Sequence, residues 1–426
     1  MTMTARRRRV QNKLVSLPGV RAVRRPVSPG ANTEFDLHYV RTGPKSAHPV
    51  VVLTGGPGVA SVLLYKGFRR RAAAAGLDVI MVEHRGVGMS RHDDTGTDLP
   101  PQALTVDQVV DDVAAVLDDA RVDSALIYGT SYGTYIAAGL GVRHPHRVHA
   151  MILDSPLLCR HDMALVRDAL RSLLWDGDSP GAAVLAAKVR NLAAVGVMDP
   201  TGAQVAATVY GYGGATLLER QLDLLLRGRT KTWLALRTAD KLVTRTVPFR
   251  FEMDLVSRIA FRELDYAGEP DGLPLDPAVA MRERATEAIP FETEPYDLVA
   301  AMPKFCWPTV VISGGRDLIT PGAVAEQIVS LIPDAVLIRL PTMAHSALDS
   351  REDAALQVAA AVGSGRTREL VDRTSAIDAL PGRPALRLLT ATIGAAIAVE
   401  NALPALLATS RKMSRTAQSR VNPISE

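Results

Sequence analysis

The sequence predicts an α/β protein: a mostly parallel sheet crossed by helices, with a helical cap inserted into it. Three observations carry that expectation. Short β-branched runs alternate with helical patterns along most of the chain. Those runs (VVVL, VIMV, ALIY, MILD, TVVIS, AVLI) are unbroken rather than alternating, as strands buried on both faces are. Finally, about 150 Leu/Ala/Arg-rich residues separate the strand ending at Asp154 from the one starting at Thr309, far more than a plain loop would need.

In chain order, strands are expected at 34–41, 49–54, 78–83, 125–128, 150–153, 309–313 and 335–340. The long insertion reads as amphipathic helix through Leu165, Leu170, Leu173 and Leu174, and again through Leu217, Leu218, Leu222, Leu224 and Leu225, with a break at 211–214. The expected organisation is a basic N-terminal segment over 1–30, a sheet-bearing core over 31–157 and 305–363, a helical cap over 158–304 and a C-terminal extension over 364–426.

Composition narrows the function classes. The 426 residues, at ~150 per domain, suggest two domains or one with a large insertion. With 47% hydrophobic and 22% charged residues, the chain is neither mostly disordered nor collagen-like. A net charge of +4 and 4% aromatics give no footprint for a nucleic-acid partner. No Cys/His cluster has metal-ligand spacing, so neither a metal nor another cofactor is expected. Cys159 and Cys306 fall at the two junctions of the insertion and are expected as free buried thiols.

The ends are read the same way. Arg6 to Arg9 is followed by Val10-Gln-Asn-Lys13 instead of the apolar stretch of a secretory signal, so the Arg run reads as a frayed, solvated terminus and the cytoplasm as the default compartment. Residues 388–399 form an apolar run of 12, against ~20 needed to cross a bilayer. An extra helix packed on the domain is the favoured expectation, a membrane-surface contact the second. The basic residues after it (Arg411, Lys412, Arg415, Arg420) suit anionic lipid or plain solvation.

Chemistry concentrates at the strand ends. Gly129-Thr-Ser131-Tyr-Gly133 follows a buried strand and opens a helix rich in small residues, so Ser131 is expected on a tight strand-to-helix turn with its hydroxyl exposed at the C-terminal edge of the sheet. A serine hydroxyl needs a base. Of nine histidines only His345 lies beyond residue 161, just after the last strand, where the base of a Ser, acid, His order belongs. Asp317, just past the preceding strand, is the expected acid, with Asp154 in reserve, while Asp349 is nearer in sequence but lies beyond the histidine. The loop Leu53-Thr-Gly-Gly-Pro-Gly58 follows another strand, and the amides of Gly56 and Tyr132 are the expected oxyanion donors. A phosphate cradle would end in Lys-[Ser/Thr] or form Gly-x-Gly-x-x-Gly, and neither is present.

Gly-Gly-Pro-Gly after a strand, Glu83-His-Arg-Gly-Val-Gly-Met-Ser90, Gly-x-Ser-Tyr-Gly, Asp317 and His345, taken in that order, resemble the α/β-hydrolase fold. Within it the chain most resembles the proline iminopeptidase family of serine aminopeptidases, over about residues 35–157 and 305–362. The resemblance implies Ser131 as nucleophile, Asp317 as acid and His345 as base, and short peptides with a free N-terminus as substrates. Thr54 stands where that family has a loop histidine, and Glu83-His84 where it has Asp-Gln. In the cap, Glu219, Glu252 and Glu263 are candidates for an anionic clamp on the substrate ammonium. The alternatives are a carboxylesterase or thioesterase acting on small acyl groups and, in another class, a catalytically silent ligand-binding protein.

Overall fold

The computed structural model describes residues 2–178, 181–243, 246–285 and 289–403. Eight strands form one sheet in the order β1-β2-β4-β3-β5-β6-β7-β8. They are β1 (Val20–Pro26), β2 (Glu34–Thr42), β3 (Val50–Leu53), β4 (Val79–Val82), β5 (Ala125–Thr130), β6 (Val148–Asp154), β7 (Thr309–Gly314) and β8 (Ala335–Leu340). Pairings from β4 through β3 to β8 are parallel, while β1 and β2 form an antiparallel edge. The expected α/β class with a mostly parallel sheet is therefore what the chain adopts.

The unbroken apolar runs work because both faces of the sheet are covered. In β3, Val51 and Leu53 enter one core cluster and Val50 and Val52 the other. In β4, Ile80 and Val82 divide from Val79 and Met81 in the same alternation.

The helices that matter for the site follow in chain order: α1 (Ala5–Val15), α2 (Lys66–Ala74), α3 (Val106–Ala120), α4 (Tyr132–Arg143), α5 (Asp162–Arg171), α6 (Ala183–Ala194), α7 (Pro200–Leu226), α8 (Lys231–Val243), α9 (Met253–Arg262), α10 (Pro277–Arg284), α11 (Gly322–Leu331), α12 (Glu352–Gly363) and α13 (Pro384–Ala402). Helices α3, α4 and α11 cover one face of the sheet, α2 and α12 the other. Helices α5 to α10 lie between β6 and β7, and α5 to α8 contribute to an apolar cluster of their own. In α7 the backbone leaves helical geometry at Gly214 (φ 74°, ψ 179°), inside the glycine-rich break expected at 211–214.

Three expectations are corrected. The basic N-terminus is not frayed: the Thr4 hydroxyl caps α1 by accepting from Arg7 N at 3.2 Å, the Met3 amide donates to the Gly96 carbonyl at 2.7 Å, and Leu14 is buried. Strand β1 lies within that segment. Its Val/Arg mixture hid it, because an edge strand needs only one partly covered face, and Arg24 spends its charge on Glu34, Asp36 and Asp94. Cys159 is half-buried and Cys306 exposed, both as free thiols, so the second is not a buried one.

The 388–399 run lies within α13, which spans 19 residues and leans on α7 and α8. Its outer side is bare, with Leu388 70% and Val399 62% exposed. The basic tail after it lies outside the described residues.

Candidate active site

Ser131 sits between β5 and α4 with φ 52° and ψ −123°, a conformation L-residues rarely adopt. Its amide donates to the Asp154 carbonyl at 2.9 Å, and its own carbonyl accepts from the Thr134 amide at 2.8 Å and hydroxyl at 2.6 Å. The glycine two residues on is needed for close approach: a Cβ on Gly133 would lie 2.1 Å from the Leu53 carbonyl oxygen. A Cβ on Gly55 would meet the Ser131 Cβ at 3.2 Å, so the loop after β3 lies directly against the serine.

His345 follows β8. Its Nδ1 lies 2.9 Å from Asp317 Oδ2. Facing a carboxylate, Nδ1 carries the proton, which leaves the lone pair on Nε2. Asp317 is buried and well satisfied: Oδ1 accepts from the amides of Ile319 at 2.9 Å and Thr320 at 3.0 Å, and Oδ2 from the Thr320 hydroxyl at 2.9 Å. Burial by itself would lower the His345 pKa, but the charge and hydrogen bond of Asp317 outweigh it and raise it. Burial pushes Asp317 upward in turn, yet the imidazolium and the backbone donors leave it below the usual carboxylate range. Gly314 lets the two loops touch, since a Cβ there would lie 2.3 Å from the Ala344 carbonyl oxygen.

Ser131, Asp317, His345 and Gly56 all line one cavity of about 330 Å³, between the C-terminal edge of the sheet and the helices after β6. Among the described residues the Ser131 hydroxyl is not hydrogen-bonded to His345, and nucleophile–base hydrogen bonds commonly tighten only in the complex with substrate. The amides of Gly56 and Tyr132 donate to no acceptor among the described residues. Tyr132 opens α4, where backbone N–H groups have no helical partner. Its ring packs edge-on against His84, and its hydroxyl has no partner among the described residues.

The departures from the familiar motif have structural jobs. The Thr54 hydroxyl donates to the Val59 carbonyl at 3.0 Å, closing the loop on itself. Buried Glu83 accepts from the amides of Ser61 and Val62, both at 2.9 Å, and so pins the loop's far end. His84 is fully buried with neither ring nitrogen partnered among the described residues, and burial holds its pKa down to about 4.

None of the three glutamates proposed as an ammonium clamp lines the cavity. Glu219 is a half-exposed partner of Lys188 at 2.9 Å. Glu263 accepts from the Val106 amide at 2.8 Å and pairs with Arg262. Glu252 is buried, forked by Arg7, and accepts from the Gly88 amide. Its own amide donates to the Gly58 carbonyl at 2.8 Å, so the Arg7–Glu252 pair braces the Gly-Gly-Pro-Gly loop from behind.

Besides Asp317, the carboxylates that line the cavity are Asp162, Asp265 and Glu294, and Arg160 and Arg316 line it too. Neither Asp162 nor Glu294 has an ion-pair partner among the described residues. Asp162 accepts from the Leu158 amide at 2.7 Å and Glu294 from the Arg160 amide at 3.1 Å. Burial raises them to about 6 and about 7 respectively, against the pull of those amides. No motif marks either residue in the sequence. The rest of the wall is largely apolar, with Met163, Leu264, Met281, Leu318 and Ile319.

A family model described as the α/β hydrolase fold matches residues 48–195. The chain is similar to the proline iminopeptidase of Neisseria meningitidis serogroup A, 25% identical over 145 residues, covering 32% of this chain and 43% of that one. It is also similar to the proline iminopeptidase of Arabidopsis thaliana, 26% identical over 141 residues and covering 32% and 34%. The matches thus span less than half the length of these curated relatives. Among solved structures, the proline iminopeptidase of Mycobacterium smegmatis aligns at 19% identity, covering 84% of this chain and 99% of that one with a TM-score of 0.47. The esterase RhEst1 from Rhodococcus sp. aligns at 18% identity, covering 81% and 98% with a TM-score of 0.46. The chain carries the α/β-hydrolase fold.

Proposed function

We propose that this α/β-hydrolase-fold protein is a cofactor-independent serine hydrolase, with short peptides bearing a free N-terminus as its leading substrates. The observation that carries the reading is the Asp317–His345 pair at 2.9 Å, opening on the same cavity as Ser131 on its strained turn. In this reading His345 Nε2 takes the Ser131 proton as Oγ attacks the substrate carbonyl, and the amides of Gly56 and Tyr132 receive the oxyanion. His345 then protonates the leaving amine. It next activates water, which releases the acyl group and restores the serine.

The peptide preference rests on Asp162 and Glu294. Both line the cavity with no ion pair among the described residues, and although the Arg160 charge reaches Glu294, two carboxylates there suit a substrate ammonium. The apolar remainder of the wall favours a second reading, an esterase or thioesterase on small acyl groups, with the same chemistry. A panel of aminoacyl anilides and acyl esters separates the two. Turnover of esters with failure of every free-amine substrate ends the peptidase reading.

The shared chemistry has its own test. Ser131→Ala should lose roughly a million-fold in kcat and all labelling by a fluorophosphonate probe. Absence of labelling in well-folded wild-type protein would instead favour the silent ligand-binding alternative.

A further inference from the structure

The outer face of α13 is a surface feature that the hydrolase reading leaves unexplained. The helix is apolar on every side but covered on one only. Ile397 and Glu400 are buried and Leu386, Ile393 and Gly394 partly so, and Gly394 packs near Leu217 of α7. On the opposite side, at helical spacing, Leu388, Thr392, Ala395 and Val399 are exposed, with Leu389 and Ala396 beside them. No charged residue occurs between Arg387 and Glu400, and Glu400 is turned inward, where it accepts from the amides of Lys231 at 2.8 Å and Thr232 at 2.7 Å.

We infer that this bare face of α13 rests in the plane of an anionic lipid surface. Charge favours lipid over a second protein. The exposed stripe starts beside Arg387, and residues 404–426 carry four basic side chains against one acidic. An apolar stripe with cationic flanks and no outward carboxylate matches the boundary between anionic headgroups and acyl chains.

The helix lies on the bilayer and does not cross it. At ~1.5 Å per residue its 19 residues would reach about 28 Å, nearly a hydrocarbon thickness. Crossing would nonetheless strip Glu400 from two amides, detach Arg229 from the Glu400 carbonyl and Arg227 from the Asn401 side chain, and place a carboxylate in hydrocarbon. A cleft between α13 and α7 is lined by Leu386, Arg387 and Thr390 and shares Gly211, Tyr212 and Ala344 with the catalytic cavity. Docking would therefore bring that cavity close to the lipid. The inference stands apart from the hydrolase reading.

The test is co-sedimentation of the full chain with vesicles of phosphatidylcholine alone or with about a third phosphatidylglycerol, at low and high salt. The wild type should pellet with the anionic vesicles, release at high salt, and bind neutral ones at least about tenfold less. Leu388→Glu with Val399→Glu should weaken that binding by roughly a hundredfold, since each side chain forfeits the burial of a large apolar group. An unchanged melting temperature would show that the pair leaves the fold intact. Wild-type protein remaining in the supernatant overturns the inference. So does a wild-type dimer that the double variant converts to monomer, which would make a second copy the occupant of the face.

Discussion

Two buried aspartates stand at the C-terminal ends of neighbouring strands, Asp154 as the last residue of β6 and Asp317 in the loop that follows β7. Their carboxyls are pushed in opposite directions. Asp154 accepts from the amides of Ala347 and Leu348 and from the Tyr128 hydroxyl, all at 2.9 Å, and burial still carries it up to about 6. Asp317 suffers the same desolvation but faces an imidazole, and ends below the ordinary range. Burial and position by a strand end therefore do not mark the acid of a relay; a partner able to carry positive charge does. Asp154 instead fastens the turn over Ala347–Ser350, which holds His345 from behind.

The largest break in that comparison should come from Asp317→Asn, which leaves the loop but removes the charge that orients the imidazole. We expect kcat to fall by about four orders of magnitude, because the wrong tautomer then faces Ser131. Steady-state kinetics on the best substrate would check this. A loss under tenfold would mean that another group serves as the acid.

The pH profile sharpens it. His345 must be neutral to accept a proton, and its pKa is raised, so the acid limb of kcat/KM should lie above the ordinary imidazole pKa of about 6.5. In Asp317→Asn the limb should move to lower pH while the plateau drops. A limb that stays in place would show that Asp317 does not set the imidazole.

The carboxylates Asp162 and Glu294, which hold amide donors but no ion pair among the described residues, extend the series. Asp162→Asn combined with Glu294→Gln should raise KM for free-amine substrates by roughly ten- to a hundredfold, and leave N-acetylated or ester substrates nearly untouched. In the wild type, KM for the amines should rise as pH falls below about 7 and then about 6, as first Glu294 and then Asp162 takes up a proton. Equal effects on both substrate kinds would remove the clamp from the mechanism.

Asp154→Asn should disturb catalysis least, by tenfold or less, and stability by ~1–3 kcal/mol, since a buried acceptor set is disrupted. The sign with pH is fixed by its raised folded pKa. The folded state holds the proton longer than the unfolded chain, so this group's contribution declines as pH rises from about 4 to about 6. Thermal melts across that window should show the decline in the wild type and a flatter profile in the variant. A steeper decline in the variant would contradict the assignment.

Legibility differed sharply between the core and the rest. Unbroken apolar runs marked six of the eight strands, because burial on both faces leaves no room for polar alternation, and a seventh, β2, was also expected. The missed strand, β1, is an edge whose arginines face solvent and carboxylates, so its composition resembles a charged tail. The glutamates in the cap were misread for a related reason. Glu252 and Glu263 look like free acids in the chain, yet each is consumed by backbone amides and an arginine distant in sequence or adjacent to it. Asp162 and Glu294, 132 positions apart, share a wall only because the helices between β6 and β7 leave and rejoin the sheet at neighbouring strands.

What the sequence determined by itself was local: where the strands run, that Ser131 occupies a turn needing glycines around it, and that His345 and Asp317 each follow a strand. Those features depend on residues close in the chain, through steric limits and hydrophobic period. Which carboxylate meets the imidazole, which acids stay unpaired in the cavity, and which side of α13 is left bare were decided only by tertiary packing. Charge pairing and desolvation act across space, between groups the chain keeps far apart.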